Sequence, residues 1–195
     1  MIYVIGYRDK TPPNGIVINT TSRSTDWSQG LSPFYLNAGH LYGDYYANIV
    51  ENAWQYSKVY EEHLDGYDIT DKYWKWATNG WSKNYGERYP MGKGAKSLFS
   101  LWDGKRLGKV EARKEIYIPI YTRALEQSEA FKGLLEVCEV ANSTNTDIYL
   151  LDFDGFNHIK ANISIEKIID NPDKSLGHSF VIWNVLKTKY NLINI

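Results

Sequence analysis

Four side chains in the stretch Ile49–Tyr60 have types and a spacing that could do chemistry. Glu51, Trp54, Gln55 and Lys58 stand at positions i, i+3, i+4 and i+7, so a helix would place them along one stripe. An acid and an amine are groups that perform acid–base and electrostatic work, and an indole supplies a flat apolar wall. Such a stripe either lines a pocket or is a solvated helix face, and both interpretations stay open from the residues alone.

A second group of candidates lies in the Gly-rich segment 82–96, which its composition predicts to be a loop. Arg88, Lys93 and Lys96 could pair with phosphate, and the glycines between them let the backbone approach an anion. The segment lacks the glycine and lysine spacing of a phosphate-binding P-loop. A flexible basic surface loop is therefore the competing interpretation.

The acidic turn in YLLDFDG follows an apolar run and holds Asp152 and Asp154. The pattern is similar to the nucleophile motif of haloacid-dehalogenase-type phosphatases, whose fold continues downstream. Only 40 residues follow Gly155, too few for that fold, so this comparison is rejected. The two aspartates are expected either to line a site at a strand end or to lie in a solvated turn.

Metal and nucleophile patterns are missing from the sequence. The four histidines have no metal-type spacing, and no serine lies in a nucleophile-elbow pattern, so we expect neither a metal nor a cofactor. His178 stands at a predicted helix start, where it would cap the helix or touch a ligand. The single cysteine, Cys138, lies in an apolar helical pattern and is expected to be buried.

The composition narrows the functional classes. The net charge is −1, so no basic excess indicates nucleic-acid binding, although a local basic patch is compatible with it. The 16 Tyr and 7 Trp suit either a core or a site that stacks on rings. No run has the roughly 18 apolar residues of a membrane span, and the N-terminus does not have the pattern of a signal peptide. We expect a cytoplasmic protein with no membrane partner.

The elements predicted from the sequence make one α+β domain over residues 1–195, mostly helical with a small sheet. A turn at 11–15 and a long loop at 21–36 separate the first elements, Gly80 is expected to end the second helix, and Pro119 to kink or divide the third. The predicted strands cover 1–7, 16–21 and 147–153. The predicted helices cover 46–62, 68–80, 108–127, 128–142 and 175–190.

Taken in order, the motifs resemble the NADAR (NAD- and ADP-ribose-associated, or YbiA-like) superfamily, in a divergent phage or bacterial branch. The similarity spans roughly Leu31 to Leu186 and rests on LSPFYL, VENAWQYSKVY, GKGAKSLF, a helix pair and SLGHSFVIWNVL. Two positions depart from the family pattern. Asn52 stands where the family has a histidine after the helix glutamate, and DFDGFNH replaces its acidic turn.

The resemblance implies cleavage of an N-glycosidic bond in a ribosyl nucleotide, an ADP-ribosylated base or a modified nucleoside. Such cleavage develops positive charge on the sugar, which a fixed carboxylate stabilises, as in glycoside hydrolysis. The residues expected to act in catalysis are Glu51, Lys58 and Asp152. The residues expected to bind the ligand are Ser32, Phe34, Tyr35, Trp54, Gln55, Arg88, Lys93, Lys96, Asp154 and His178.

Two other functions fit the same residues. A protein of this fold that has lost catalysis would sequester a nucleotide or an ADP-ribose-type ligand, as a phage counter-defence protein does. A factor that modifies DNA bases would use the basic loop on phosphates and bind DNA in a salt-dependent way. The expected location is the cytoplasm, that of the host if a phage encodes the chain, and the sequence predicts no oligomeric state.

Overall fold

Helices and short strands alternate along the chain, so the α+β class predicted from the sequence is confirmed. The computed structural model describes residues 1–11 and 13–193. Pro12, part of the predicted turn at 11–15, lies outside the described residues. None of the helices in the described ranges is long and apolar enough to cross a membrane.

The strands are short, and those of the first sheet run parallel. They are β1 (Ile2–Gly6), β2 (Ile16–Asn19), β3 (Gly39–His40), β4 (Tyr46–Ala47), β5 (Lys58–Val59), β6 (Leu64–Asp65), β7 (Asp68–Ile69), β8 (Phe99–Trp102), β9 (Lys105–Leu107) and β10 (Ile148–Asp152). β10 lies between β1 and β2 in a parallel sheet, and β8 lies between β5 and β9 in an antiparallel one. β3–β4 and β6–β7 are antiparallel ribbons.

The helices range from one turn to four. They are α1 (Val50–Gln55), α2 (Asp71–Ser82), α3 (Lys109–Ala112), α4 (Ile118–Glu126), α5 (Glu129–Ser143), α6 (Ile165–Ile169) and α7 (His178–Thr188). Two 3₁₀ turns, Trp27–Leu31 and Glu61–His63, and one π-helical turn, Arg113–Tyr117, complete the set.

The chain divides into two compact units, of which the first contains residues 1–32 and 125–195. Its parallel sheet is covered by α7, where Trp183 Nε1 donates to the carbonyl of Ile2 at 2.9 Å. Val4 and Leu150 are fully buried on neighbouring strands, as the β-branched and aliphatic runs of β1 and β10 predict. Cys138 on α5 is buried, as expected, and its burial raises the pKa of the thiol to about 12.

The second unit contains residues 33–124 and has a core made largely of aromatic side chains. Tyr56, Tyr73, Trp81 and Tyr121 are all fully buried there. α1 packs against α2 and against the π-helical turn, and α3 packs against β8 and β9. Part of the abundant Tyr and Trp therefore forms this core. The composition had left open whether these residues form a core or a site that stacks on rings.

The predicted helix over 46–62 is wrong in length. The helix covers only Val50–Gln55, because Ser57 Oγ donates to the carbonyl of Trp54 and Val59 pairs with Phe99 as a strand. Lys58 therefore lies in β5, beyond the helical stripe that its spacing predicted. A β-branched residue beside aromatic ones favours this extended conformation.

Two other predicted helix features differ from the structure. Gly80 does not end α2, which continues to Ser82; a Cβ at Gly80 would lie 2.0 Å from the Tyr56 ring, so the glycine allows close packing. Pro119 does not divide the helical stretch, which runs without a break from 109 to 126, and the alternative of a kink stays a prediction; it lies in the first turn of α4, directly after the π-helical turn. Proline has no N–H to donate, so the widened turn falls where the regular hydrogen-bond ladder is interrupted.

Candidate functional site

The glutamate and the glutamine of the predicted stripe are fixed by α1 in the second unit. The backbone N–H of Glu51 donates to Pro33 O at 2.9 Å, and that of Val50 donates to Leu36 O at 2.9 Å. These bonds attach the first turn of α1 to the preceding segment of chain. Glu51 is 6% exposed and Gln55 8% exposed, so the two polar side chains face the interior rather than solvent.

A continuous chain of hydrogen bonds joins the acid to the amine. Gln55 Nε2 donates to Glu51 Oε1 at 2.7 Å, and Lys58 Nζ donates to Gln55 Oε1 at 2.6 Å. The orientation of the amide follows from its neighbours, because a carboxylate only accepts and an ammonium only donates. The structure therefore brings Glu51, Gln55 and Lys58 together as predicted, although Lys58 arrives from a strand.

The surroundings of Lys58 disfavour its charged form. Its pKa is lowered to about 8, chiefly by burial, with the positive charge of Lys109 acting in the same direction and the carboxylate of Glu51 acting against both. Near pH 8 a substantial fraction of Lys58 is then a neutral amine, the form that can act as a nucleophile. Desolvation of this kind is what a reactive lysine requires.

An aromatic wall borders the amine. Lys58 Nζ lies 5.0 Å from the centre of the Trp54 ring, within cation–π distance. The Trp54 ring lies 5.4 Å from the Tyr117 ring at an angle of 57°, and Tyr117 stacks on Tyr121 at 5.8 Å. Tyr117 is the last residue of the π-helical turn, so that irregular turn carries part of the wall.

The predicted aromatic and basic ligands of the LSPFYL and Gly-rich segments meet only in part. The guanidinium of Arg88 lies 5.4 Å from the centre of the Phe34 ring, so these two are brought together. Tyr35, next to Phe34, is exposed.

The Gly-rich segment is a loop, as predicted, since residues 83–98 contain no helix or strand. Gly92 and Gly94 have φ of +90° and +93°, a conformation that suits glycine and keeps the backbone accessible. Lys93 and Lys96 are exposed, and Lys96 lines an open pocket with Tyr60, Glu61, Glu62, Met91 and Ala95. Anion contacts from these lysines remain a prediction.

The other predicted residues belong to the first unit, where Asp152 organises a buried cluster. Asp152 Oδ2 accepts from both the backbone N–H and the Oγ of Ser179 at 3.0 Å, and it lies 3.2 Å from His178 Nδ1. His178 Nε2 lies 2.7 Å from the carbonyl oxygen of Thr20. Since β10 ends at Asp152 and α7 begins at His178, this aspartate caps the first turn of α7.

Asp154 and Ser32 have more ordinary surroundings in the same unit. Asp154 is exposed two residues after β10, while Ser32 is buried and its N–H donates to Gln29 O at the end of a 3₁₀ turn. The positions of Asp152, His178, Asp154 and Ser32 are compatible with a site at the carboxyl ends of the parallel strands. Their contacts, however, are also those of a cap and a turn.

Sequence reasoning missed several polar and aromatic neighbours of the site. The charge of Lys109 acts on Lys58, Tyr117 packs against Trp54, and Ser179 completes the Asp152 cluster. For Ser179 a signal existed, since a hydroxyl in the first turn of a helix commonly takes part in capping. For Tyr117 and Lys109 the contact depends on packing between segments about 50 residues apart, which no local pattern shows. Within residues 1–11 and 13–193, no group of three or more His, Cys, Asp or Glu side chains could hold a metal ion.

The chain belongs to a family of unknown function, DUF6939, whose model matches residues 7–182. A comparison with curated proteins gives no match.

Proposed function

We propose that the chain is an N-glycosidase that acts in the cytoplasm on a ribosyl nucleotide, an ADP-ribosylated base or a modified nucleoside. The observation that carries the proposal is the hydrogen-bonded chain from buried Glu51 through buried Gln55 to half-buried Lys58, whose amine has a lowered pKa. Buried carboxylates and desolvated amines in one cluster are typical of catalytic sites. The resemblance of the motifs to the NADAR superfamily supports the same chemistry.

In the proposed reaction the bond between C1′ of the ribose and the base nitrogen breaks, and its electron pair stays with the base, which takes up a proton. Positive charge develops on C1′, and the carboxylate of Glu51 stabilises it. The neutral amine of Lys58 attacks C1′ and gives up one proton, which balances the proton that the base took up. The C1′–O4′ bond then breaks, the remaining amine proton moves to O4′, and the opened sugar is left bonded to Lys58 as an imine. Water hydrolyses the imine, which restores the amine and releases the sugar.

The neighbouring rings and cations fit the two ends of such a substrate. Trp54, which is half-buried, offers a flat face on which a base can stack beside the amine, and buried Tyr117 packs against Trp54. Arg88, held over Phe34, supplies a guanidinium for a phosphate, since guanidinium and phosphate pair in a bidentate way.

Release of free base tests the proposal directly. Purified protein is incubated with NAD, adenosine and guanosine nucleotides and an ADP-ribosylated guanosine, and the products are separated by liquid chromatography with mass detection. We expect free base from at least one substrate, and a loss of at least about a hundredfold in the Glu51→Gln variant, the scale of a positioned electrostatic group. The matched control is Glu136→Gln, the same change at an exposed glutamate of α5.

Two outcomes contradict this function. Full activity in a folded Glu51→Gln variant excludes the carboxylate from the chemistry. Tight binding of a ligand that is recovered intact, with no base released from any substrate, identifies a sequestering protein instead.

A further inference from the structure

Asn52 follows Glu51 in α1, and its side chain is fully buried at 0% exposure. Its Nδ2 donates to the carbonyl oxygen of Tyr85 at 2.8 Å, and its Oδ1 accepts from the N–H of Glu87 at 2.8 Å. The amide thus pairs with one acceptor and one donor of the loop backbone, as a neighbouring strand would. Residues 83–98 have no helix or strand of their own, so these are partners that the loop backbone otherwise lacks.

A second attachment holds the same part of the loop. The hydroxyl of Tyr56, the residue that follows α1, donates to Glu87 Oε2 at 2.5 Å. Lys83 Nζ donates to that same carboxylate oxygen at 2.5 Å and to the Tyr56 hydroxyl at 2.8 Å. Residues 83–88, which we call the clamped segment, are therefore fixed to the middle of α1 through Asn52 and to its C-cap residue through Tyr56.

The clamped segment in turn carries Arg88 to Phe34. A Cβ added to Gly86 would lie 2.5 Å from Phe34 Cδ1, so the Phe34 ring rests directly on the backbone of Gly86. The Arg88 guanidinium lies over the same ring at 5.4 Å. Phe34 follows Pro33, whose carbonyl accepts from the N–H of Glu51. The contacts thus form a closed circuit from α1 through the clamped segment and Phe34 back to α1.

We infer that Asn52 is a positioning residue, which fixes the clamped segment so that Arg88 is held in place for a phosphate group of the substrate. The identity of the ligand rests on the proposed function, and the inference narrows its substrate class to phosphate-bearing nucleotides. The ordering of the segment by Asn52 does not rest on that function. Binding is strengthened when a cation is held in its bound position beforehand, because less conformational entropy is lost.

The Asn52→Asp variant gives a test that a simple packing role would not pass. Aspartate has nearly the same shape as asparagine. A protonated carboxyl can donate to Tyr85 O and accept from Glu87 N–H, whereas an ionised one can only accept and repels the Tyr85 carbonyl oxygen. Burial raises the pKa of such a carboxyl above its ordinary value of about 3.9, so the protonated form is available under mild conditions.

The titratable groups that contact Asn52 or its partners do not themselves explain a change in exchange between pH 5 and 8. Hydrogen bonds from Lys83 and Tyr56 lower the pKa of Glu87, while the pKa of Lys83 is raised by its hydrogen bond to Glu87. Burial, with the hydrogen bond to Glu87, raises the pKa of Tyr56 to about 12. These three groups keep their charge state between pH 5 and 8. Glu51 of α1 and Lys58, which loses part of its charge between pH 5 and 8, are present in every variant, so the comparison with wild type at each pH removes their contribution.

Hydrogen exchange of the clamped segment is measured by mass spectrometry at about pH 5 and pH 8, corrected for intrinsic rates. Wild type is expected to be equally protected at both pH values. Asn52→Asp should match wild type at pH 5 and lose at least about tenfold of its protection at pH 8, while Asn52→Ala should lose it at both. Asn79→Asp, the same change at an exposed position of α2, is the control and should leave the segment unchanged.

Affinity for ADP-ribose, measured by calorimetry, gives the second readout. We expect Asn52→Ala and Arg88→Ala each to weaken binding by about tenfold, and the double variant to lose little more, because the two residues act as one unit.

Additive losses would overturn the coupling of Asn52 to Arg88. Unchanged exchange in Asn52→Ala, or an Asn52→Asp variant whose exchange does not depend on pH, would overturn the positioning role. If exchange shows that Asn52 orders the clamped segment but the protein does not bind ADP-ribose, the proposed ligand is contradicted. The ordering role of Asn52 would then stand without a phosphate ligand.

Discussion

Each unit of the molecule buries one acid beside one basic side chain, and the two clusters are built differently. In the first unit Asp152 receives two hydrogen bonds from Ser179 and lies directly against His178. In the second unit the amide of Gln55 bridges Glu51 and Lys58 through one hydrogen bond to each. The first cluster joins a strand end to a helix start, and the second lies beside an aromatic wall.

The difference separates a pairing whose contacts are those of a helix cap from one that we propose to be reactive. Direct contact with backbone and side-chain donors stabilises the Asp152 carboxylate, and the cluster in return fixes the start of α7. The contacts of Lys58 with Gln55 and Trp54 and the attraction of Glu51 compensate only in part for its desolvation, and its pKa falls to about 8. Catalytic sites commonly hold a destabilised charged group of this kind, which is the role that we propose for Lys58. Asp152 as a catalytic group stays a prediction, and the comparison makes it testable.

The largest expected effect is the loss of stability in Asp152→Ala. Removing the carboxylate takes away the acceptor of the Ser179 N–H and hydroxyl and the partner of His178, all of which are buried. Each buried donor left without an acceptor lowers the free energy of unfolding by about 1–3 kcal/mol. Urea unfolding measures it, with Asp173→Ala, at an exposed aspartate before α7, as the control. A stable Asp152→Ala protein that has lost base release would assign Asp152 to catalysis instead.

Next in size is the effect of Lys58→Arg on base release. Arginine keeps the charge but stays protonated and is a poor nucleophile, so a route through an imine should slow by at least about a hundredfold. Borohydride added with substrate should trap an adduct on Lys58 of the wild type, read as a mass increase of the intact protein. If the Lys58→Arg variant is active and no adduct is trapped, Lys58 acts only through its charge. The reaction would then use Glu51 and a water molecule.

A smaller effect is the pH dependence of stability that Lys58 creates. Its folded pKa of about 8 lies below the unfolded value of about 10.4, so between these values the unfolded chain binds more protons. The stability of wild type relative to Lys58→Met should therefore rise from pH 8 to 10 and be constant below about pH 7. Urea unfolding of both proteins across this range measures the difference. A flat difference would show that Lys58 is solvated and would remove the contrast with Asp152.

The smallest effect is expected at the exposed lysines of the Gly-rich loop. Replacing Lys93 and Lys96 together with Ala should weaken ADP-ribose binding by a few-fold and leave adenosine binding unchanged, because exposed charges contribute little individually. Calorimetry at low and high salt measures both ligands, and Lys75→Ala on α2 is the control. Equal weakening of the two ligands would mean that the loop is a solvated surface without phosphate contacts.

The elements that the sequence predicted well are those whose pattern is local. β1, β10, α5 and α7 lie within a few residues of their predicted ranges, because alternation, apolar periodicity and Gly or Ser at the ends all act over short distances. α1 was predicted too long because the pairing of Val59 with Phe99 joins residues 40 positions apart. Tertiary pairing overrides helix propensity there, and the helical pattern gives no sign of it.

The candidate site shows the same division. Glu51 and Gln55 meet at i and i+4 on one helix, which their spacing predicted. Lys58 also reaches Gln55, but from β5 and only three positions away in sequence, so the predicted contact formed for a different geometric reason. The role of Asn52 could not be predicted, since its partners lie 33 and 35 residues further along in a loop without regular structure.

The burial of Cys138 also provides a way to observe motion in solution. A thiol reagent attacks the thiolate, which is scarce at neutral pH when burial raises the pKa to about 12, and it must first reach a side chain enclosed within α5 and its neighbours. Alkylation of the native protein therefore proceeds only when that part of the first unit opens. The labelling rate reports the frequency of those openings, and a cysteine introduced in the second unit would record its opening on the same timescale.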